Sequence, residues 1–230
     1  EGIDTEGLGP DASAWVKTPS GTVLKAGDPV VTYVARNLEP YRGFHIFMRA
    51  LEKLQERHKT VHALIVGGDD VSYGKRPKDA PNWREKMLRE VKLDPTRTHF
   101  MGKLPRAQYI KVLQVSAAHV YLTYPFVLSW SLLEALTCHT PVIASDTAPV
   151  WEVIREPTTA TLVDFFNDDR IASRVSEVFA VGRAARECPC HLGMCSLASA
   201  LEGYETLLSG QVSGSHRRHA TLDQFSGFRA

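Results

Sequence analysis

The chain has 230 residues, 43% apolar and 23% charged, with 27 lysines and arginines against 26 aspartates and glutamates. That length buries a core without disulfides or metals, and the balanced charge leaves no bulk basic field for nucleic acid or an anionic membrane. No apolar run approaches the roughly 18 to 20 residues of a bilayer span, so no transmembrane segment is expected.

In chain order, residues 1–29 carry Gly and Pro without periodicity and read as a linker segment. Residues 30–35 form an almost continuous apolar run, expected of a strand covered on both faces. Residues 43–57 place Phe44, Phe47, Leu51 and Leu54 three and four apart, on one helical face. The second strand is predicted at 61–66, closed by Gly67-Gly68-Asp69-Asp70, and Trp83, Met87 and Val91 mark a second helix. Between them, 73–81 is rich in Gly, Pro and Lys and reads as a surface loop.

A short third strand is predicted at 98–101, then a helix at 106–115 with Tyr109, Ile110 and Leu113 inward. The pattern continues with a strand at 118–122, a helix at 131–136, a strand at 141–145 and a sixth strand at 161–163. A helix follows at 168–180, aligned on Ile171, Val175 and Val178. From Arg186 the pattern weakens. Leu197, Leu201, Tyr204 and Leu208 align as one last helix within 186–208, and 209–230 reads as a flexible tail. Strands alternating with helices imply parallel pairing through right-handed crossovers. The expected fold is a doubly wound, Rossmann-like α/β domain over 30–185 with a mostly parallel sheet of about six strands.

Cysteine is sparse: Cys138 stands alone, and Cys188, Cys190 and Cys195 lie close together. That distribution staples no fold of this size, so a reducing, cytoplasmic setting is expected. With His191 the cluster spells C-x-C-H-x3-C, which fits no common zinc motif, so ordinary thiols and no metal are expected.

Ligands of a doubly wound sheet bind at the carboxyl ends of its strands, near the switch in strand order. The loop after the first strand reads Ala35-Arg36-Asn37-Leu38-Glu39-Pro40-Tyr41-Arg42-Gly43. It lacks the glycine-rich dinucleotide fingerprint, which argues against an ordinary NAD or FAD domain. Arg36 and Arg42 instead flank a turn entering a helix. Two guanidinium forks beside helix-terminal N–H groups suit a diphosphate. The plain alternative is a pair of solvated loop arginines. Glu134 is the second candidate, a carboxylate one turn into a helix and set among apolar residues, where it needs a polar partner. Ribose hydroxyls would serve, as would a basic neighbour or the helix N-terminus. His45 has no identifiable partner and reads as a polar-face or packing residue.

Leu132-Leu133-Glu134-Ala135-Leu136, Pro141-Val142-Ile143-Ala144-Ser145-Asp146 and Pro149-Val150-Trp151-Glu152-Val153-Ile154 carry a resemblance. With the first-strand loop, they resemble the C-terminal donor domain of retaining GT-B-fold glycosyltransferases, the glycosyl transferases group 1 family. Sucrose and glycogen synthase relatives belong to it. The likeness covers roughly 30–164 and implies one half of a GT-B fold. It implies a hexosyltransferase-like enzyme taking a sugar from a UDP- or GDP-sugar, with retention and without a cofactor.

By that likeness Arg36 matches the family's arginine and Arg42 stands at its lysine position, both on the donor diphosphate. They and the helix end near Ser131 would stabilise the departing charge without a divalent metal. Glu134 matches the second glutamate of the E-x7-E motif, which holds the ribose. Phe126 stands where the first belongs, the residue set against the donor hexose. Ser129 replaces a usual glycine and leaves a backbone amide available near phosphate. Trp130, Ser131 and Leu132 continue the donor pocket, and Gly102, Lys103 and Leu104 match the loop that cradles the base.

The chain also departs from the family at Arg155-Glu156-Pro157-Thr158-Thr159-Ala160-Thr161, where Asp-Gly-x-x-Gly is common. Its opening, Glu1-Gly2-Ile3-Asp4, shows no secretory leader and resembles the linker after an acceptor domain. An acceptor domain missing from this chain is therefore expected, and the isolated donor half should bind a nucleotide sugar yet scarcely catalyse. A sugar-nucleotide epimerase shares the architecture. So does a non-catalytic sugar-nucleotide-binding module, which Phe126 favours.

Overall fold

The computed structural model describes residues 3, 8–124, 128–154, 160–181 and 197–208. Two short strands, β1 (Trp15–Lys17) and β2 (Val23–Lys25), pair antiparallel as a hairpin. The main sheet holds β3 (Val30–Asn37), β4 (His62–Gly68), β5 (Thr98–Gly102), β6 (Ala118–Tyr121), β7 (Val142–Ser145) and β8 (Ala160–Val163). All its pairings are parallel, and its order is β5-β4-β3-β6-β7-β8. Between strands run α1 (Phe44–Arg57), α2 (Trp83–Glu90), α3 (Arg106–Val115), α4 (Trp130–Thr137) and the single turn α5 (Ala148–Trp151). The helices α6 (Asp168–Val181) and α7 (Leu197–Leu208) follow the last strand.

Successive strand residues point to opposite faces. Val31 and Tyr33 of β3, Ala63 and Ile65 of β4 and Val120 of β6 join Phe44, Phe47 and Leu51 of α1 and Val175 of α6 in one cluster. Their neighbours Val30, Leu64 and Val66 face the other way, onto Val112 and Val115 of α3 and Val16 and Leu24 of the hairpin. Farther along the sheet, Tyr121, Val142 and Ala144 meet Leu132, Leu133 and Leu136 of α4. With both faces covered, the strands read as unbroken apolar runs. Each fully buried phenylalanine or leucine of α1 contributes about 1.5–3 kcal/mol. The same helix is tied to α6 by Lys53, whose ammonium lies 3.1 Å from Asp168 and 2.5 Å from Asp169.

The core holds one polar knot. Thr32 Oγ1 lies 2.8 Å from Ser116 Oγ and 2.9 Å from His119 Nδ1, all three residues being buried. Burial pushes the His119 imidazole down to about 4, and its Nε2 has no partner among the described residues. His45 is likewise pushed down to about 4, by burial first and then by the Arg49 charge. It packs against Phe165 at 6.3 Å between ring centroids.

The strands and helices expected from periodicity are present, with ends that coincide or shift by at most two residues, the usual uncertainty at frayed termini. The hairpin within 1–29 gave no signal, because three-residue strands are too short to show an alternation. Packing against α3 and β4 holds it in place. Cys138 is a buried thiol that forms no disulfide. The departure at 155–159, the Cys188, Cys190, Cys195 and His191 cluster and the 209–230 tail lie outside the described residues. Among the described residues no helix is long and apolar enough to cross a membrane.

Candidate functional site

From β3 the chain steps outward to β4 and β5, then returns to lay β6 on the other side of β3. The loops leaving β3 and β6 therefore diverge, opening a crevice at the carboxyl ends of the two strands. A cleft of about 650 Å³ occupies this place, a volume in the range of small-ligand sites. Its walls include Arg36, Asn37, Glu39 and Arg42 from the β3 side, Tyr73 from the loop after β4, and Tyr121, Leu128, Ser129 and Trp130 from the β6 side.

Local chemistry sets the two arginines there. The pairing of β3 with β4 shifts register between Val34 and Asn37, and Arg36 stands exposed in that bulge. Among the described residues its guanidinium has no hydrogen bond or ion pair. After it, Pro40–Arg42 makes one 3₁₀ turn with proline in its first positions, and Gly43, at φ 72°, turns the chain into α1. The Tyr33 hydroxyl donates to the Arg42 carbonyl at 2.6 Å from below. Burial keeps that phenol protonated by pushing its pKa up. The Arg42 guanidinium donates to Thr123 Oγ1 at 3.0 Å and lies 5.5 Å from the centre of the Tyr73 ring. Arg36 and Arg42 thus face one crevice, one unpaired and one braced. Two guanidinium groups so placed have the charge and donor geometry to receive a dianion.

Three residues that the sequence did not single out complete this wall. Glu39, 1% exposed, accepts hydrogen bonds from the backbone amides of Ser72, Tyr73 and Gly74. Asn37 is buried, and its Nδ2 donates to Ser72 Oγ at 2.8 Å. Tyr121 spans the cleft floor, its hydroxyl accepting from the Ser129 amide at 2.8 Å, with burial raising its pKa. The only advance signal was the position of Asn37 and Glu39 between the two arginines.

On the β6 side, Ser129 and Trp130 line the cleft, whereas Ser131 is buried and Leu132 lies in the core under α4. The Ser129 amide, expected to be available to a phosphate, is instead used by Tyr121, because the floor of the cleft presents a hydroxyl beneath it. Glu134 is 3% exposed and is not among the residues lining the cleft. Arg106 donates to its Oε1 at 2.6 Å and the Tyr109 hydroxyl to its Oε2 at 2.5 Å. Of the partners weighed from sequence, the basic neighbour is the one in contact. Burial and the Glu134 charge push the Tyr109 phenol well up, so it remains a donor.

Gly102 turns the chain after β5 at φ 65°. Lys103 lays its side chain across Gly68 at the end of β4, where a Cβ would sit 2.4 Å from Lys103 Cε and 2.6 Å from Asn37 Oδ1. A side chain at Gly68 would displace the end of the Lys103 chain and press on the Asn37 amide. Leu104 faces away from the cleft, into a separate groove with Trp15, Met101 and Gln108. Phe126 lies outside the described residues. Among the described residues no cluster of three or more His, Cys, Asp or Glu could hold a metal ion.

The same architecture is found in solved glycosyltransferases. HepE of Anabaena, solved with UDP-glucose, superposes with a TM-score of 0.66 at 18% identity, over 80% of this chain and 49% of that one. Sucrose-phosphate synthase of Thermosynechococcus elongatus superposes with a TM-score of 0.68 at 22% identity, over 91% of this chain and 51% of that one. The C-terminal domain of LpcC, a glycosyl transferase group 1 family protein of Francisella tularensis, gives 0.61 at 18% identity over 78% of this chain and 88% of that domain. The chain thus spans about half the length of the first two. Among curated protein sequences nothing matches it. Residues 18–188, well over half of the chain, match the family described as Glycosyl transferases group 1. The crevice between β3 and β6 is therefore carried by a member of the glycosyl transferases group 1 family.

Proposed function

We propose that this chain is the C-terminal donor half of a retaining glycosyltransferase, which moves a sugar from a UDP- or GDP-sugar to an acceptor held by a second domain. The observation that carries it is the pair Arg36 and Arg42 at the switch crevice. When the bond from the sugar to the diphosphate breaks, negative charge builds on the departing phosphate. Two guanidinium groups and the N-terminal end of α4, near Ser131, stabilise it electrostatically. Gly102 and Lys103 lie one strand beyond β4 from the arginines, and this spread suits a nucleoside laid across the strand ends. By the family likeness Glu134 would accept from the ribose, which requires its buried carboxylate to open toward the cleft from its bonds to Arg106 and Tyr109. The UDP-glucose bound by HepE and the C-terminal placement of the LpcC domain support this reading. Sparse cysteine usage supports a cytoplasmic setting.

Calorimetric titration with UDP and GDP tests it. Charge-assisted bonds are worth about 1.5 to 3 kcal/mol each, so Arg36→Ala and Arg42→Ala should each weaken binding roughly ten- to hundredfold. Glu134→Gln should weaken it too while leaving the circular dichroism spectrum intact. Folded variants that bind as tightly as the parent would refute the site. Phe126, in place of the first motif glutamate, favours a second reading, a module that binds the sugar nucleotide without transferring it. Transfer or donor hydrolysis by the protein joined to its acceptor domain would exclude that alternative.

A further inference from the structure

We infer that Glu39 is a positioning residue for the donor diphosphate, acting through Tyr73 on Arg42; this rests on the donor-site reading above. A carboxylate that is 1% exposed must be paired or hydrogen-bonded. Among the described residues Glu39 has no ion pair. Its charge is met instead by three successive backbone amides. Oε1 accepts from Ser72 at 3.1 Å, and Oε2 accepts from Tyr73 at 3.2 Å and Gly74 at 2.9 Å. Asn37 adds its bond to Ser72 Oγ, and the Leu38 amide donates to the Gly68 carbonyl at 2.8 Å.

These bonds fasten the loop after β4 to the loop after β3. Residues 69–82 contain no helix or strand to hold their own shape, and Tyr73 itself is 45% exposed. Glu39 holds the backbone from which the Tyr73 ring projects by accepting from the amide of that residue. The centre of that ring lies 5.5 Å from the Arg42 guanidinium carbon, and the Thr123 hydroxyl receives the Arg42 hydrogen bond. Without the Glu39 clamp, Arg42 loses one of the walls that define its direction. The amides also spread the Glu39 charge, which otherwise would repel a diphosphate in the same cleft.

Titrating the parent, Glu39→Ala, Glu39→Gln, Arg42→Ala and the Glu39→Ala/Arg42→Ala double variant with UDP tests this, with uridine as the second probe. Glu39→Ala should weaken UDP about tenfold and leave uridine unchanged, and in the Arg42→Ala background it should add less than about twofold. Glu39→Gln keeps one accepting oxygen but turns an NH₂ toward a backbone N–H, so it should fall between parent and alanine variant. A general structural role would weaken UDP and uridine alike and would add fully to Arg42→Ala; either result overturns the proposal. If Glu39→Ala does not fold, Glu39→Gln carries the same comparison. A parent that binds UDP with Arg42 dependence, alongside Glu39 variants that bind equally well, refutes the role of Glu39 alone. A parent that binds no nucleoside diphosphate refutes the donor site and this role together.

Discussion

Gly43 is the joint on which the crevice depends, and Gly43→Ala measures how tightly it is built. At φ 72° a non-glycine residue sits in the left-handed region, at a cost of about 1–2 kcal/mol. A Cβ there would also lie 2.4 Å from Leu122 Cβ and 2.9 Å from its Cδ1. Leu122 Cβ is fixed to the backbone that leaves β6, so no rotamer change relieves the overlap. Forcing a methyl into such a site costs typically about 1–3 kcal/mol more. The sum, about 2–5 kcal/mol, corresponds to a melting temperature lower by about 4–20 °C for a domain of this size. Gly21→Ala is the control. Its φ is 91°, but nothing lies within 4 Å of a Cβ there, so only the conformational part applies. Thermal unfolding by circular dichroism compares the two. Because displaced Leu122 carries Thr123 away from Arg42, Gly43→Ala should also weaken UDP binding, which Gly21→Ala should not. Equal melting temperatures for the two variants would refute the claim that the loops leaving β3 and β6 are in hard contact.

Three further outcomes are expected. His119 falls from the usual 6.5 to about 4 in the folded protein, so the native state binds fewer protons and its stability holds above pH 6.5. As pH drops from 6.5 to 4 about 3 kcal/mol is lost, and His119→Gln should flatten that part of a urea-unfolding pH series; an unchanged slope would refute the assignment. Tyr109→Phe leaves the buried Glu134 with Arg106 as its side-chain partner among the described residues and should cost about 1.5–3 kcal/mol in urea unfolding, a loss under about 0.5 kcal/mol counting against it. Asn82 caps α2 by accepting from the Glu85 amide at 2.8 Å. Asn82→Ala should lower stability by about 1 kcal/mol while Asn82→Asp should not, and equal denaturation midpoints would contradict the cap.

Periodicity is a local property, and what depends on it was legible in the sequence. The apolar runs at 30–35 and 61–66, and the helical spacing of Phe44, Phe47, Leu51 and Leu54, announce their elements without reference to the rest of the chain. The alternation of those elements implied a parallel, doubly wound sheet, and the two arginines flanking one turn both line the cleft at its strand ends. The hairpin at 15–25 and the single turn α5 were invisible because elements so short hold no full period.

The company each residue keeps was decided by tertiary structure. Strand order brings the loop after β4 against the loop after β3, so Glu39 bonds amides 33 to 35 positions away. Nothing in the composition of Tyr73–Gly74 announces such a partner. Glu134 was marked as a carboxylate in need of company, but only the packing of α3 beside α4 assigns Arg106 and Tyr109 to it. Lys103 and Leu104 are adjacent in sequence and diverge in space, one across Gly68 and the other into the groove with Trp15. Hydrogen bonds between loops depend on where the strands beneath them lie. That order is set by the packing of the whole sheet, and no single segment encodes it.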